Sequence, residues 1–173
     1  MEMLHDYEEP ASGLEELLII TEVPGINKKD SQAPPKLKAL TLEMIEAQYN
    51  PREWTHVFTD GSSEEAVING GAGIFIKHTD GTLTSRAFPT GRFSSNFRAE
   101  AAVLLHAAQI LYRLSHPTPK IAFFTDCISL LQGLQSTKND QQLTGIRTAL
   151  YNLLGQSTVI LQWVPYHCGV NGN

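Results

Sequence analysis

At 173 residues with 42% hydrophobic content, the chain is long enough for one domain with a real core and too short for two; its composition excludes wholesale disorder. No run nears the roughly 18 consecutive apolar residues of a membrane span, and the start MEMLHDYEEP carries acids where a signal peptide needs positive charge, so the expected location is nucleus or cytoplasm, without a membrane partner. The net charge of −5 is uneven: residues 1–50 hold 4 basic and 10 acidic side chains and residues 51–173 hold 9 and 8, leaving the second part compatible with a phosphate-rich partner.

In chain order, residues 1–50 read as an acidic, partly disordered connector, with paired prolines in KKDSQAPPK. Within it LEELLII, 14 to 20, is too short to separate strand from helical turn. Leu37, Leu40 and Met44 recur at helical spacing and predict a short amphipathic helix that Asn50-Pro51 ends. The domain is expected over 51–173. WTHVFT (54–59), GAGIFIKH (71–78) and TLTSRAF (82–88) read as three strands, and Asp80-Gly81 is a hairpin signal between the last two. SSNFRAEAAVLLHAAQILYRL (94–114) reads as a helix, with Ser94, Ser95 or Asn96 as N-cap. KIAFFTD (120–126) reads as a strand, CISLLQGLQ and QQLTGIRTALYNLLGQ as helices, and TVILQWV (158–164) as a fifth strand. This order predicts an α/β fold with a mixed five-stranded sheet: an antiparallel meander, then two strands added in parallel through crossovers. Cys127 and Cys168 lack a CxxC partner and suggest neither a disulfide framework nor a zinc site.

Asp60 and Asp126 occupy equivalent places. Each ends an apolar strand behind a threonine, as T-D-G-S at 59–62 and T-D-C-I-S at 125–129. If the first and fourth strands lie side by side and parallel, the two acids become neighbours at the carboxyl end of the sheet, where ligands gather in open α/β folds. Taken singly, Asp126 reads equally as a helix N-cap and Asp60 as a turn residue. Glu100 shares a stripe with Leu104, Ala107, Leu111 and Leu114, the helix face that should pack on the sheet. It serves either the helix dipole or a cation shared with Asp60 and Asp126, and hard oxygen donors from several elements suit magnesium. His167 lies in a glycine-bearing loop beyond the fifth strand. It reads as a surface residue or, beside a carboxylate cluster, as a group able to give a proton to a leaving group.

TDGS at 59–62, SSNFRAE at 94–100, FFTDCISL at 123–130 and WVPYHCGVNGN at 163–173 resemble, in order and spacing, the ribonuclease H type 1 domain. The wording LTLEMIEAQYNPREWTHVFTDGS looks like the version that follows a reverse transcriptase in non-LTR retrotransposon polyproteins. The resemblance covers about residues 52 to 173 and implies a ribonuclease H-like fold. The activity it implies is endonucleolytic hydrolysis of the RNA strand of an RNA/DNA hybrid with two Mg2+ ions, Mn2+ able to substitute. Asp60, Glu100 and Asp126 match family carboxylates and metal ligands, His167 the histidine that assists product departure, and Asn96 a contact to the hybrid's minor groove. Gly61 and Ser62, small beside Asp60, are expected to let the nucleic-acid backbone approach. Two departures stand out. Ile128 sits where cellular members often carry a polar residue. In the family the loop continues as G-N-E-x-x-D into a last helix, whose aspartate would fall a few residues past Asn173. The expectation is therefore a C-terminally incomplete domain without its last helix, either an active nuclease fragment or an inactive nucleic-acid-binding relic.

Overall fold

The computed structural model describes residues 17–27, 33–60, 71–89, 95–137 and 139–165. Six strands form one sheet: β1 (Leu18–Ile20), β2 (Thr55–Asp60), β3 (Gly71–Lys77), β4 (Leu83–Pro89), β5 (Lys120–Thr125) and β6 (Thr158–Trp163), in the order β1-β6-β5-β2-β3-β4. Among the described residues four helices accompany them: α1 (Pro34–Gln48), α2 (Asn96–Tyr112), α3 (Ile128–Gln135) and α4 (Gln141–Leu154).

β2, β3 and β4 form the expected antiparallel meander. At the β3–β4 turn Gly81 has φ +91°, a conformation that glycine adopts without a Cβ penalty, and the Thr82 N–H donates to Asp80 Oδ1 at 2.9 Å. β5 then pairs in parallel with β2, and β6 in parallel with β5, through crossovers made by α2 and by α3 with α4. The continuous apolar run of β5 follows from this position. Ile121, Ala122, Phe123 and Phe124 are all at most 1% exposed because both faces of the strand are covered.

Among the described residues the sheet has six strands where five were expected. The added strand is Leu18–Ile20, which pairs in parallel with Ile160–Gln162 and occupies the free edge of β6. Three residues carry no periodicity of their own; the edge of β6 makes them a strand by supplying their backbone partners.

α1 also joins the core. Pro34 opens it, a tolerated place because the first helical N–H has no intrahelical partner anyway. Met44 and Ile45 are buried, and Tyr49, just past the helix, is 2% exposed. The Tyr49 ring packs edge-on against Trp54 and Phe124, and its hydroxyl donates to Gln162 Oε1 at 2.6 Å. Gln162 Nε2 in turn donates to the Glu22 and Trp163 carbonyls, both at 2.9 Å. One buried amide of β6 thereby ties together the segment after β1, the end of α1 and its own strand. Packing crosses Pro51 from residues on both sides.

α2 lies on the other face. Ser95 caps it by accepting from the Arg98 N–H at 3.1 Å. Ala101, Leu104, Ala107, Ala108 and Leu111 are buried, and the alanines let the helix approach the sheet closely. Its first turn is locked to α4. The Arg98 guanidinium makes a bidentate contact with Asp140, at 3.1 and 2.9 Å, and donates to Gln142 Oε1 at 2.8 Å. Asp140 also caps α4 through the Gln142 and Leu143 N–H groups. The Arg98 hydrogen bonds are the first cause holding the Asp140 carboxyl down to about 2.

Candidate active site

The sheet places the two Thr-Asp pairs side by side. The parallel register runs from Thr55 opposite Ile121 to Phe58 opposite Phe124, and continuing it brings Thr59 opposite Thr125. Both threonines are buried, whereas Asp60 and Asp126, each one residue further, are half-buried at the strand ends.

Glu100 reaches the same place from α2. It is 3% exposed, in the helix's second turn, on the stripe with Leu104, Ala107 and Leu111. Its Oε2 accepts two hydroxyls, from Thr59 Oγ1 at 2.9 Å and from Thr125 Oγ1 at 3.1 Å. A buried carboxylate requires such donors. These donors are the residues that immediately precede the two aspartates. The sequence motifs alone give the threonines no role of their own. Their signal was the repetition itself: two strands with alternating faces put both hydroxyls on the helix side.

Asp126 stands one residue before the N-cap position of α3. The N-cap is Cys127, without a side-chain capping bond, and the Cys127 N–H is satisfied by Thr125 Oγ1 at 3.1 Å. The Cys127 thiol is pushed up by burial first, and also by the nearby charges of Glu100 and Asp126. It is therefore a protonated neighbour of the carboxylates at neutral pH when no metal is bound. Asn96 is the first residue of α2, exposed, one turn before Glu100. His167, Gly61 and Ser62 lie outside the described residues.

The donor chemistry suits a hard divalent cation, since Asp60, Glu100 and Asp126 offer only oxygen. Among the described residues, no three or more His, Cys, Asp or Glu side chains are grouped closely enough to hold a metal ion. The fold thus gathers the three carboxylates at one end of two adjacent strands and a helix turn, without a preformed cluster.

The RNase H family model matches residues 52–173. This chain belongs to the RNase H family. Family membership carries the activity, hydrolysis of the RNA strand of RNA/DNA hybrids, and a general use of divalent metal ions. The chain is similar to the solved structure of RNase H1 from the halophilic archaeon Halobacterium salinarum NRC-1, with 21% identity, TM-score 0.48, and coverage of 65% of this chain and 86% of that one. It is also similar to the N-terminal RNase H domain of rv2228c from Mycobacterium tuberculosis, solved as a fusion with maltose binding protein. There the identity is 20%, the TM-score 0.45, and the coverage 65% and 83%. No curated protein matches the chain. No helix among the described residues is long and apolar enough to cross a membrane.

Proposed function

We propose that this RNase H domain cleaves the RNA strand of hybrids by a two-metal mechanism in which Asp60, Glu100 and Asp126 hold the ions, Mg2+ with Mn2+ able to substitute. The observation that carries the reading is the pair of hydrogen bonds donated by Thr59 and Thr125 to Glu100, which joins both strand ends and the helix at one point. When bound, the ions would activate the attacking water and stabilise the leaving oxygen of an in-line displacement.

The chain's own residues divide the remaining work. Asp60 and Asp126 present carboxylates from the ends of adjacent parallel strands, and Glu100 a third from a helix capped by Ser95 and locked through Arg98. Asn96, exposed at the helix start, contacts the hybrid's sugar edge. Gly61 and Ser62 admit the backbone, and His167 supplies a proton to the leaving group. The proposed setting is a retrotransposon polyprotein, downstream of a reverse transcriptase, acting in the nucleus or cytoplasm.

A labelled hybrid tests this. The chain should cut the RNA strand only with divalent metal, and Asp60→Asn should abolish the cut; equal activity in that variant rejects the assignment. A second reading, an inactive nucleic-acid-binding relic, is favoured by the lack of a preformed three-ligand group among the described residues. It predicts hybrid binding without turnover at high Mg2+ or Mn2+, and detectable cleavage excludes it.

A further inference from the structure

We propose that Thr59 and Thr125 are positioning residues for Glu100, a matched pair of hydroxyls that fixes the direction in which this carboxylate meets a divalent cation. The inference rests on the metal-holding role given above to Glu100.

Three observations converge. First, both hydroxyls reach the same oxygen, Oε2, at 2.9 and 3.1 Å, and all three residues are at most 4% exposed. Water therefore does not stand in for either donor. Second, Thr125 has no choice of direction. A hydroxyl has one proton and two lone pairs. The Cys127 N–H occupies a lone pair, at 3.1 Å, while the proton is given to Glu100. The contact that directs the hydroxyl also starts α3 just after Asp126, so the position of one proposed ligand is coupled to the orientation of another. Third, the supporting elements are stiff. β-Branched threonines on paired strands have restricted χ1, and the first turn of α2 is held by its cap and by the Arg98–Asp140 contact. The terminal torsion of a glutamate is otherwise broad. Here the backbone is held from the helix and the head from the sheet.

Groups that hydrogen-bond a metal ligand typically change metal affinity roughly ten- to a hundred-fold when removed. Valine is nearly isosteric with threonine; at position 59 it removes the donor to Glu100, and at position 125 it removes that donor together with the acceptor of the Cys127 N–H, so T59V is the cleaner variant. The test is calorimetric titration of Mg2+ and Mn2+ into the full chain and its variants, with the metal-induced rise in Tm as a second readout. T59V and T125V should each weaken metal binding about ten-fold and T59V/T125V up to a hundred-fold, with a matching loss of the metal-induced rise in Tm. T59S/T125S, which keeps both hydroxyls, should recover most of the affinity. Parental affinity in T59V and T125V, even with a lower Tm, would mean the hydroxyls only stabilise the fold and would overturn the proposal. The single variants carry the test if the double one does not fold. Asp60→Asn and Glu100→Gln separate the two levels. Loss of binding in these with full binding in T59V/T125V rejects positioning alone, whereas parental binding in all of them rejects the metal site and the positioning with it.

Discussion

The two halves of the sheet differ in what covers them. In the parallel half, α2 packs on β2, α3 and α4 pack on β6, the Tyr49 end of α1 covers the opposite face, and Ile121 to Phe124 of β5 are sealed. β4, at the antiparallel edge, has no buried residue, and Leu83 is 58% exposed. The proposed metal ligands all belong to the sealed half. Catalytic carboxylates must be held within a fraction of an ångström, and strands buried on both faces have little room to move.

The largest break in that contrast should come from Phe124→Ala. Phe124 stacks on Phe58 at 4.9 Å and meets Tyr49 and His56 edge-on, both at 5.4 Å. Its loss should cost about 3–5 kcal/mol in denaturant unfolding, and a loss near that of a surface residue would show that the parallel half is not the rigid one. Tyr49→Phe should cost less, about 1–3 kcal/mol, because Gln162 Oε1 is left buried without its donor. It also has a pH signature. Burial pushes the Tyr49 hydroxyl up from 10.0 to about 12. A proton acid with a raised folded value contributes stability that is complete below about pH 10 and falls away between about 10 and 12. The phenylalanine variant should lack that part of the alkaline decline, and two parallel melting curves through this window would contradict the assignment. The smallest effect should be Leu83→Thr on β4, within about 0.5 kcal/mol; a drop comparable to Phe124→Ala would erase the distinction between the halves.

Most of the sheet was legible because its signals are local. Asp80-Gly81 marks a turn by its chemistry, and IAFF in β5 is an unbroken apolar run between helical patterns, as a doubly covered strand must be. β1 was not legible, since Leu18–Ile20 becomes a strand through a partner far along the chain. At the site, the neighbourhood of Asp60 and Asp126 followed from two strand ends and one parallel pairing. The capping role considered for Asp126 followed equally from local pattern, yet the helix begins one residue later and its N-cap position falls on Cys127, whose own N–H is taken by Thr125 Oγ1. Local rules stated the competition without its winner. The role of the threonines needed the register, which brings two side chains separated by 66 positions in sequence onto one oxygen.

The bond from Gln162 to the Glu22 carbonyl spans 140 positions. During synthesis Leu18–Ile20 leaves the ribosome well before its partner, Ile160–Gln162, which is made 142 positions later. β1 must therefore wait for β6 while the meander, α2 and β5 form behind it. Contacts of such separation are slow to close and gain stability only when the loop between them is already ordered. Docking of β1 on β6 thus comes after the sheet's centre, and protection of the Ile160–Gln162 amides against hydrogen exchange should arise after that of Ile121–Phe124.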